Sequence, residues 1–366
     1  MSGMGFAIDE IVVPSSVDGP DADFIAMIGV RNEVEEQILG TTVLSVTPAG
    51  VLPYFANNVN RLRRHFVARV DDVIVARAIL GWPTAEGAVE ARINVDVLAE
   101  YRGSGLGSAL LTLVEAEAIA LGRTVLQSDQ PHAPRPGGPR IPSPTGFGDV
   151  PADDPGVRFA VRHGYRLEMV TRISSLDLAG AAGLAREQLQ AAQEQAGADY
   201  RVVTWAGATP EDRLDDLAAL RAGMSTDAPH AGIEMAPDPW DVERVRAHDE
   251  RQRATGRVKL TAAAEHVSSG RLIAFTEIEI EPGEAPPALQ EDTLVLRSHR
   301  GHRLGMLLKA ANLLHLLDVA PDATVVTTYN AEDNRPMLDV NEALGFMPIG
   351  LEGSWQKRVG IDCAVI

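Results

Sequence analysis

Two stretches of the sequence place an arginine just before closely spaced glycines. The first, RGSGLG, runs from Arg102 to Gly107, and the second, RGHRLG, runs from Arg300 to Gly305. Each follows an apolar segment and opens a pattern of apolar residues at helical spacing. A glycine-rich turn between a strand and a helix presents backbone N–H groups at the positive end of the helix dipole. The predicted chemistry is the binding of an anion such as phosphate, and a tight turn with a glycine cap is the alternative.

The spacing excludes two common classes of phosphate-binding loop. A dinucleotide fingerprint, Gly-x-Gly-x-x-Gly, requires a glycine at the position of Ser108. A P-loop requires Gly-Lys followed by Ser or Thr, which neither stretch contains. Dinucleotide binding and nucleotide hydrolysis are therefore not predicted.

The two loops belong to a duplication of domain size. When they are aligned without gaps, Arg102 matches Arg300 and Gly107 matches Gly305, and a strand pattern precedes each loop. Upstream of each strand lies a hairpin pattern, with predicted turns at 71–72 and 268–270. Downstream, each half offers an amphipathic helix, a short apolar strand and a closing Gly-aromatic pair. These pairs are Gly164-Tyr165 and Gly345-Phe346.

The repeat predicts a first domain over 1–178, a connecting helix or linker over 179–198 and a second domain over 199–366. The first half is longer because of an insertion rich in Pro, Gly and Ser at 129–156, which predicts no regular structure. That insertion is either disordered or a lid over a site. Further helices are predicted at 21–39, 210–224 and 239–254.

Composition narrows the class of protein. A formal net charge of −18 over 366 residues argues against binding to a nucleic-acid backbone, which requires clustered Lys and Arg. No apolar run approaches the length of a membrane span, and no leader is evident, so a cytoplasmic protein without membrane contact is expected. The single cysteine, Cys363, excludes an internal disulfide framework, and no metal-ligand spacing predicts a metal site.

The pattern Arg-x-x-Gly-x-Gly after a strand, together with the closing Gly-aromatic pair, resembles the GNAT superfamily of acyl-CoA-dependent N-acyltransferases. The resemblance covers most of both halves and implies an α/β (α+β) fold with two GNAT-like domains in tandem. Each domain would be a mixed, mostly antiparallel sheet flanked by helices. Tandem arrangements of this kind resemble the mycothiol synthase group and some antibiotic-modifying acetyltransferases.

The resemblance also implies which residues bind acetyl-CoA. In the family, loop amides hold the pyrophosphate of coenzyme A and the preceding strand pairs with its pantetheine arm. The positions that correspond in the first half are Val97, Leu98, Arg102, Gly103, Ser104, Gly105, Leu106, Gly107 and Ser108. Those in the second half are Val295, Leu296, Arg300, Gly301, His302, Arg303, Leu304, Gly305 and Asn334. Arg303 departs from the family pattern, because it stands where the second glycine is expected; it either binds a phosphate or crowds the turn.

Many family members carry a tyrosine four residues before the final glycine, which protonates the departing thiolate. Ala160 and Asn341 stand at that position here. Asn341 can hydrogen-bond the sulfur but has no useful proton to give, so water or another residue has to serve. Candidate bases are the strand carboxylates Glu277 and Asp292, for which a solvent-facing position is the alternative.

These features favour an N-acetyltransferase that moves acetyl from acetyl-CoA to a primary amine of a small molecule. A non-catalytic acyl-CoA-binding protein and a protein N-acetyltransferase are the alternatives. The carboxylates and Asn334 favour chemistry in the second half, whereas the first half has the cleaner loop. The chain is expected to be a monomer or a homodimer.

Overall fold

The computed structural model describes residues 5–14, 21–56, 60–227, 231–234 and 239–360, so that Cys363 lies outside it. The chain divides into two units. The first unit comprises Met1–Thr171, His230–Ala236 and Gly350–Ile366, and the second comprises Arg172–Pro229 and Pro237–Ile349. No helix in the described part of the chain has the length and apolar character of a membrane span.

The elements follow the predicted duplication. From the N-terminus they are β1 Ala7–Ile11, α1 Ala22–Leu39, α2 Pro48–Phe55, β2 Arg61–Val70, β3 Val73–Pro83, β4 Glu90–Val97, α3 Leu106–Ala120, β5 Val125–His132, β6 Arg140–Pro142, β7 Asp149–Pro151, α4 Pro155–Arg162 and β8 Arg166–Asp177. They continue as α5 Ala181–Ala196, β9 Tyr200–Ala206, α6 Leu214–Asp227, α7 Val242–Ala254, β10 Val258–His266, β11 Arg271–Ile280, β12 Pro287–Val295, α8 Leu304–Val319, β13 Val325–Ala331, α9 Arg335–Ala343 and β14 Met347–Arg358.

The first unit contains a mixed sheet in which β1, β2, β3, β4, β5 and β14 are successive neighbours. Asp71 and Asp72, with φ of 49° and 65°, form the turn between β2 and β3 that the sequence predicts. All these pairs are antiparallel except β4 with β5. The parallel pair is short, because only Glu90–Arg92 and 125–127 are in register. Beyond Arg92 the two strands part, and a gap opens between them.

The second unit repeats this arrangement. Strands β9, β10, β11, β12 and β13 are successive neighbours, and β12 runs parallel to β13. Their pairing also ends early, at Gln290 with Thr328. The second predicted hairpin is confirmed, since β10 and β11 pair on either side of residues 267–270.

Apolar faces of the helices close each core. In the first unit, α1 and α3 cover the sheet, and buried Phe24, Met27, Leu110 and Val114 pack with the strands and with Trp355 of β14. In the second unit, α5 and α8 pack together with the sheet, while α6 and α7 form a separate apolar cluster around Phe275. The mixed α/β fold expected from the sequence is therefore present.

Three features differ from the sequence-based description. Residues 351–358 of β14, assigned from sequence to the second domain, pair with β5 in the first unit. Helix α5, expected as a connector, packs against α8 in the second unit. The prediction of no regular structure over 129–156 is wrong, because the start of that segment continues β5 and β6 pairs with β7, an arrangement that the Arg140–Asp149 ion pair stabilises.

Candidate functional site

Two glycines with positive φ and two hydrogen bonds from side chains to backbone carbonyls hold the first glycine loop in one conformation. Gly103 and Gly105 have φ of 78° and 95°, which only glycine adopts readily. Arg102 Nε donates a hydrogen bond to the Val97 carbonyl over 2.9 Å, and Ser104 Oγ donates to the Tyr101 carbonyl over 2.6 Å. The arginine therefore fastens the loop to the end of β4.

This loop leaves the start of α3 open to a ligand. Gly105 is the N-cap of α3 and has no side chain to accept from the first-turn N–H groups. Those groups, with the positive end of a 15-residue helix, form a site suited to a phosphate.

A cavity of about 900 Å³ joins this loop to the gap between β4 and β5. Asn94 lies in that gap, where its Nδ2 donates to the Asp129 carbonyl over 3.2 Å. Polar lining on the two strands and α1 comprises Gln37, Asn94, Asp96, Ser128, Asp129 and Gln130. Cationic or imidazole lining comprises Arg102, Arg135, Arg158, Arg162 and His163.

Asp154 sets the start of α4 against this cavity. Its Oδ1 accepts hydrogen bonds from the Gly156 and Val157 N–H groups, at 2.8 and 3.3 Å. His132, which is fully buried, lies 3.2 Å away through Nδ1. Burial acts to raise the pKa of Asp154, but the hydrogen bonds from His132 and the helix start lower it below its ordinary value. An ionised, multiply bonded Asp154 therefore fixes α4.

The second glycine loop is fastened to the end of its strand in the same way as the first. Arg300 Nε donates to the Val295 carbonyl over 3.0 Å, and Gly301 has φ of 89°. Arg303 takes the position of Gly105 and adopts φ of 55°, while its Nη2 lies 3.5 Å from Gln188 Oε1 on α5. The loop thus accepts an arginine in a left-handed conformation, and the side chain lies against α5.

The proposed bases share one ion network of the second unit, in which Glu277 is buried and the Asp292 side chain is 42% exposed. Glu277 is 2% exposed and pairs with Arg221, and its Oε1 lies 3.5 Å from Lys259 Nζ. Burial would raise the pKa of Glu277, but Arg221 and Lys259 lower it to about 2. Asp292 shares Arg221, with Oδ2 at 3.4 Å from Nη1. Glu277 is consequently a poor proton acceptor at neutral pH.

Asn341 lies apart from these carboxylates, on α9 where it faces α8. Its Oδ1 accepts from Lys309 Nζ over 2.6 Å, and its Nδ2 donates to Asn330 Oδ1 over 2.5 Å. Asn334 precedes α9 as its N-cap, without a side-chain cap hydrogen bond. The second unit therefore brings Glu277 and Asp292 together but places Asn341 in a different polar cluster.

The pH dependence of stability tests whether the buried Lys309 amine of that cluster loses its proton. Burial lowers the pKa of Lys309 to about 7, whereas an unfolded lysine titrates near 10.4. Between these values the unfolded chain binds more protons, so the free energy of unfolding is expected to rise with pH by up to about 1.4 kcal/mol per unit. Urea unfolding of the second unit from pH 7 to 9 measures this slope. In Lys309→Met the slope should be smaller by that amount, and an unchanged slope would contradict a deprotonating buried amine.

Sequence reasoning missed Trp355 in the core of the first unit and Asp154 in the lining of the cavity. Trp355 and the rest of β14 join the first unit through a pairing that spans more than two hundred residues, for which no local pattern gives a signal. Asp154 had a usable signal, since an aspartate before Pro155 is typical of a helix start. No group of three or more His, Cys, Asp or Glu side chains suited to a metal ion occurs in the described residues.

The duplicated splayed sheet with an uncapped helix at its glycine loop defines an acyltransferase type of fold. Residues 32–133 match the model of the acetyltransferase (GNAT) family. The first unit thus carries the sequence signature of that family, and the chain as a whole has the tandem GNAT fold. The resemblance seen in the sequence is confirmed.

Solved structures show the same fold over the whole chain. A tandem GNAT protein from the clavulanic acid biosynthesis pathway shares 24% identity, with a TM-score of 0.72, covering 97% of this chain and 99% of that one. A GCN5-related N-acetyltransferase from Sphaerobacter thermophilus shares 14% identity, with a TM-score of 0.59 and coverage of 99% and 98%. A glucosamine N-acetyltransferase region of a fungal β-N-acetylglucosaminidase shares 15%, with a TM-score of 0.60 and coverage of 98% and 38%. No curated protein matches the chain in sequence.

The family implies the use of an acyl-CoA, and the first unit has features that fit one. The open first turn of α3 suits a pyrophosphate. The cavity continues from it to the unpaired edges of β4 and β5, which can receive an extended arm.

Proposed function

We propose that the first unit binds acetyl-CoA and transfers the acetyl group to a primary amine of a small molecule. The observation that supports this most is the cavity of about 900 Å³, which connects the phosphate-type loop to the gap between β4 and β5. Residues Arg102–Ser108 would contact the pyrophosphate, and Val97 and Leu98 would lie beside the pantetheine arm.

Two observations favour the first unit over the second for the chemistry. Glu277 and Asp292, which drew attention to the second half, are engaged by Arg221. In the first unit, carboxylates line the cavity itself, and Asp129 is held by Ser354 Oγ at 2.8 Å and by Arg92 at 3.1 Å. The lining contains arginines as well, and a carboxylate beside the gap, such as Asp129, suits an amine substrate because it attracts the protonated amine that forms in water.

The chain's own contribution is chiefly positioning. When bound, the thioester supplies the carbonyl carbon that the neutral amine attacks. The rigid loop and the fixed start of α4 hold the cavity walls, and proximity of that kind supplies on the order of 7–11 kcal/mol in well-oriented reactions. Asp129 and Asn94 are among the polar groups at the gap between the strands.

A matched pair of variants tests this assignment. Ser104 and His302 occupy equivalent exposed positions of the two loops, and neither has a positive φ. Ser104→Glu is expected to weaken acetyl-CoA binding about tenfold. The new carboxylate repels the phosphate, and because the position is exposed and screened by salt, the repulsion costs about 1.4 kcal/mol. His302→Glu should leave that binding unchanged. Calorimetric titration of acetyl-CoA measures both affinities.

Thiol release measured with a panel of amines gives the second readout. Amine-dependent release of coenzyme A, lost in step with binding in Ser104→Glu, is the expected result. Binding without any amine-dependent release would instead support the non-catalytic alternative, which the missing tyrosines at Ala160 and Asn341 permit. If His302→Glu alone weakened binding, the assignment to the first unit would be wrong.

A further inference from the structure

A second, much smaller cavity lies beside the main one in the first unit. Its volume is about 20 Å³, and we call it the Ala160 nook after the residue of α4 that borders it. Its wall is mostly apolar and includes Ile93, Val95, Leu111, Phe159 and Ala160. The other lining residues are Ser128, Gln130, Tyr165 and Trp355. Since one water molecule needs roughly 10–15 Å³, the nook has room for a single group of about the size of a methyl.

The wall of the nook suits a hydrocarbon group. Ile93, Leu111 and Ala160 are each at most 4% exposed, so bulk water does not reach this part of the wall. The Tyr165 hydroxyl donates to Glu115 Oε1 over 2.9 Å and is thereby satisfied as a donor. Apolar cavities stay dry and take up apolar guests of matching size. Such a guest restores the dispersion contacts that the wall lacks while the cavity is empty.

The nook adjoins the space where acyl transfer is proposed. Four residues line both the nook and the main cavity, namely Val95, Ser128, Gln130 and Phe159. The first three lie on β4 and β5, beyond the last paired residues of these strands. The gap that opens there is where the pantetheine arm would bring the thioester. A group attached to the acyl carbon can therefore reach the nook.

The second unit closes the corresponding position with side-chain atoms. Aligned on the glycine loops, Leu111 corresponds to Lys309, and Ala160 corresponds to Asn341 by its distance from the closing glycine. Lys309 Nζ donates to Asn341 Oδ1 over 2.6 Å, so these two positions meet in the second unit as well. In the first unit the same two positions border an open space. The nook is thus a consequence of the small Ala160 side chain.

We propose that the Ala160 nook binds the end of an acyl chain one carbon longer than acetyl, so that the first unit uses propionyl-CoA in preference to acetyl-CoA. This rests on the proposed function of the same unit and names its acyl donor. The terminal methyl of the propionyl group enters the nook, while the carbonyl carbon stays at the gap between β4 and β5. The amine nitrogen bonds to that carbon, and the carbon–sulfur bond breaks with its electron pair going to sulfur. The nitrogen loses one proton and the sulfur gains one, which yields an N-propionyl amide and free coenzyme A.

Calorimetric titration of the full-length protein tests the acyl site without relying on catalysis. The ligands are coenzyme A, acetyl-CoA, propionyl-CoA and butyryl-CoA. Burial of one methylene favours binding about fourfold, so propionyl-CoA should bind at least about fourfold more tightly than acetyl-CoA. Butyryl-CoA should bind more weakly than propionyl-CoA, because the nook has no room for a second added carbon. With one amine as acceptor, kcat/KM for the three thioesters should follow the same order.

Ala160→Val fills the nook and is expected to remove the preference for propionyl-CoA over acetyl-CoA. Valine adds two carbon atoms at a position that borders the nook. Val161→Ile is the matched control, because Val161 is the next residue of α4 and is 50% exposed. It adds volume to the same helix outside the nook, so the preference should persist.

Ile93→Val gives a second route should Ala160→Val unfold the protein. Ile93 belongs to the lining of the nook only, and its replacement removes one methylene from the wall at a small cost in stability. The enlarged nook should admit a longer chain. The affinity for butyryl-CoA is therefore expected to rise about fourfold relative to the parent.

Three results would overturn the acyl site. One is equal affinity of the parent for acetyl-CoA and propionyl-CoA. Another is a preference for propionyl-CoA that survives Ala160→Val. The third is an affinity that keeps rising from propionyl-CoA to butyryl-CoA in the parent, since the chain would then extend into the larger cavity. Failure of the proposed function is distinct, because the parent would then bind these ligands in the expected order but release no thiol in response to any amine.

Discussion

Gly107→Leu is expected to reduce acetyl-CoA affinity at least about 100-fold, a loss of about 2.7 kcal/mol. A Cβ at Gly107 would lie 3.4 Å from Phe159 Cε2 and 3.5 Å from Val97 Cγ2, so the side chain beyond it has to extend into the cavity. That is the space between the phosphate-type loop and the gap of the sheet. Calorimetric titration measures the loss, and thermal unfolding verifies that the variant is folded.

Gly305→Leu is the matched control for this prediction. Gly305 holds the equivalent position at the start of α8, where a Cβ would meet no atom within 4 Å. Replacing a helical glycine there should leave affinity unchanged and stabilise the helix by up to about 1 kcal/mol. Equal losses of affinity in both variants would show that both loops bind acetyl-CoA. Loss only in Gly305→Leu would place the site in the second unit.

The duplication and both loops could be predicted because they rest on local signals. Asp71-Asp72 and the segment 268–270 are turn sequences between apolar strand patterns, and hairpin register follows from the turn. The glycines at Gly103 and Gly105 stand where the chain needs a positive φ. Arg303 shows the limit of such reasoning, since its left-handed conformation breaks the local preference.

The partners of charged residues could not be predicted in this way. Glu277 and Arg221 are 56 positions apart, and only the packing of α6 on the sheet brings them into contact. The alternation of FTEIEI shows that Glu277 and Glu279 share a face but not whether that face is covered. For the same reason, the pairing of β14 with β5 and the contribution of Trp355 to the first unit have no local signature.

Glu277→Gln is expected to destabilise the second unit by about 3–5 kcal/mol while leaving kcat within about twofold. The substitution leaves Arg221 and Lys259 buried with less compensating charge, as their side chains are only 5% and 2% exposed. Urea unfolding measures the loss, and the rate of amine acetylation by folded protein measures kcat. A catalytic base at Glu277 would give the opposite result, with activity lost and stability retained.

A double variant and a pH series distinguish the loss of the Glu277–Arg221 ion pair from other effects of Glu277→Gln. Because removal of both partners leaves no unpaired charge, Arg221→Leu combined with Glu277→Leu should cost less than the glutamine variant alone. Since the folded pKa of Glu277 is about 2, below its ordinary value of 4.5, its contribution is complete above pH about 4.5 and is lost as the pH falls toward 2. Parent protein should therefore lose more stability across that range than Glu277→Gln does. Parallel losses in the two proteins would mean that Glu277 is not held ionised by Arg221 and Lys259.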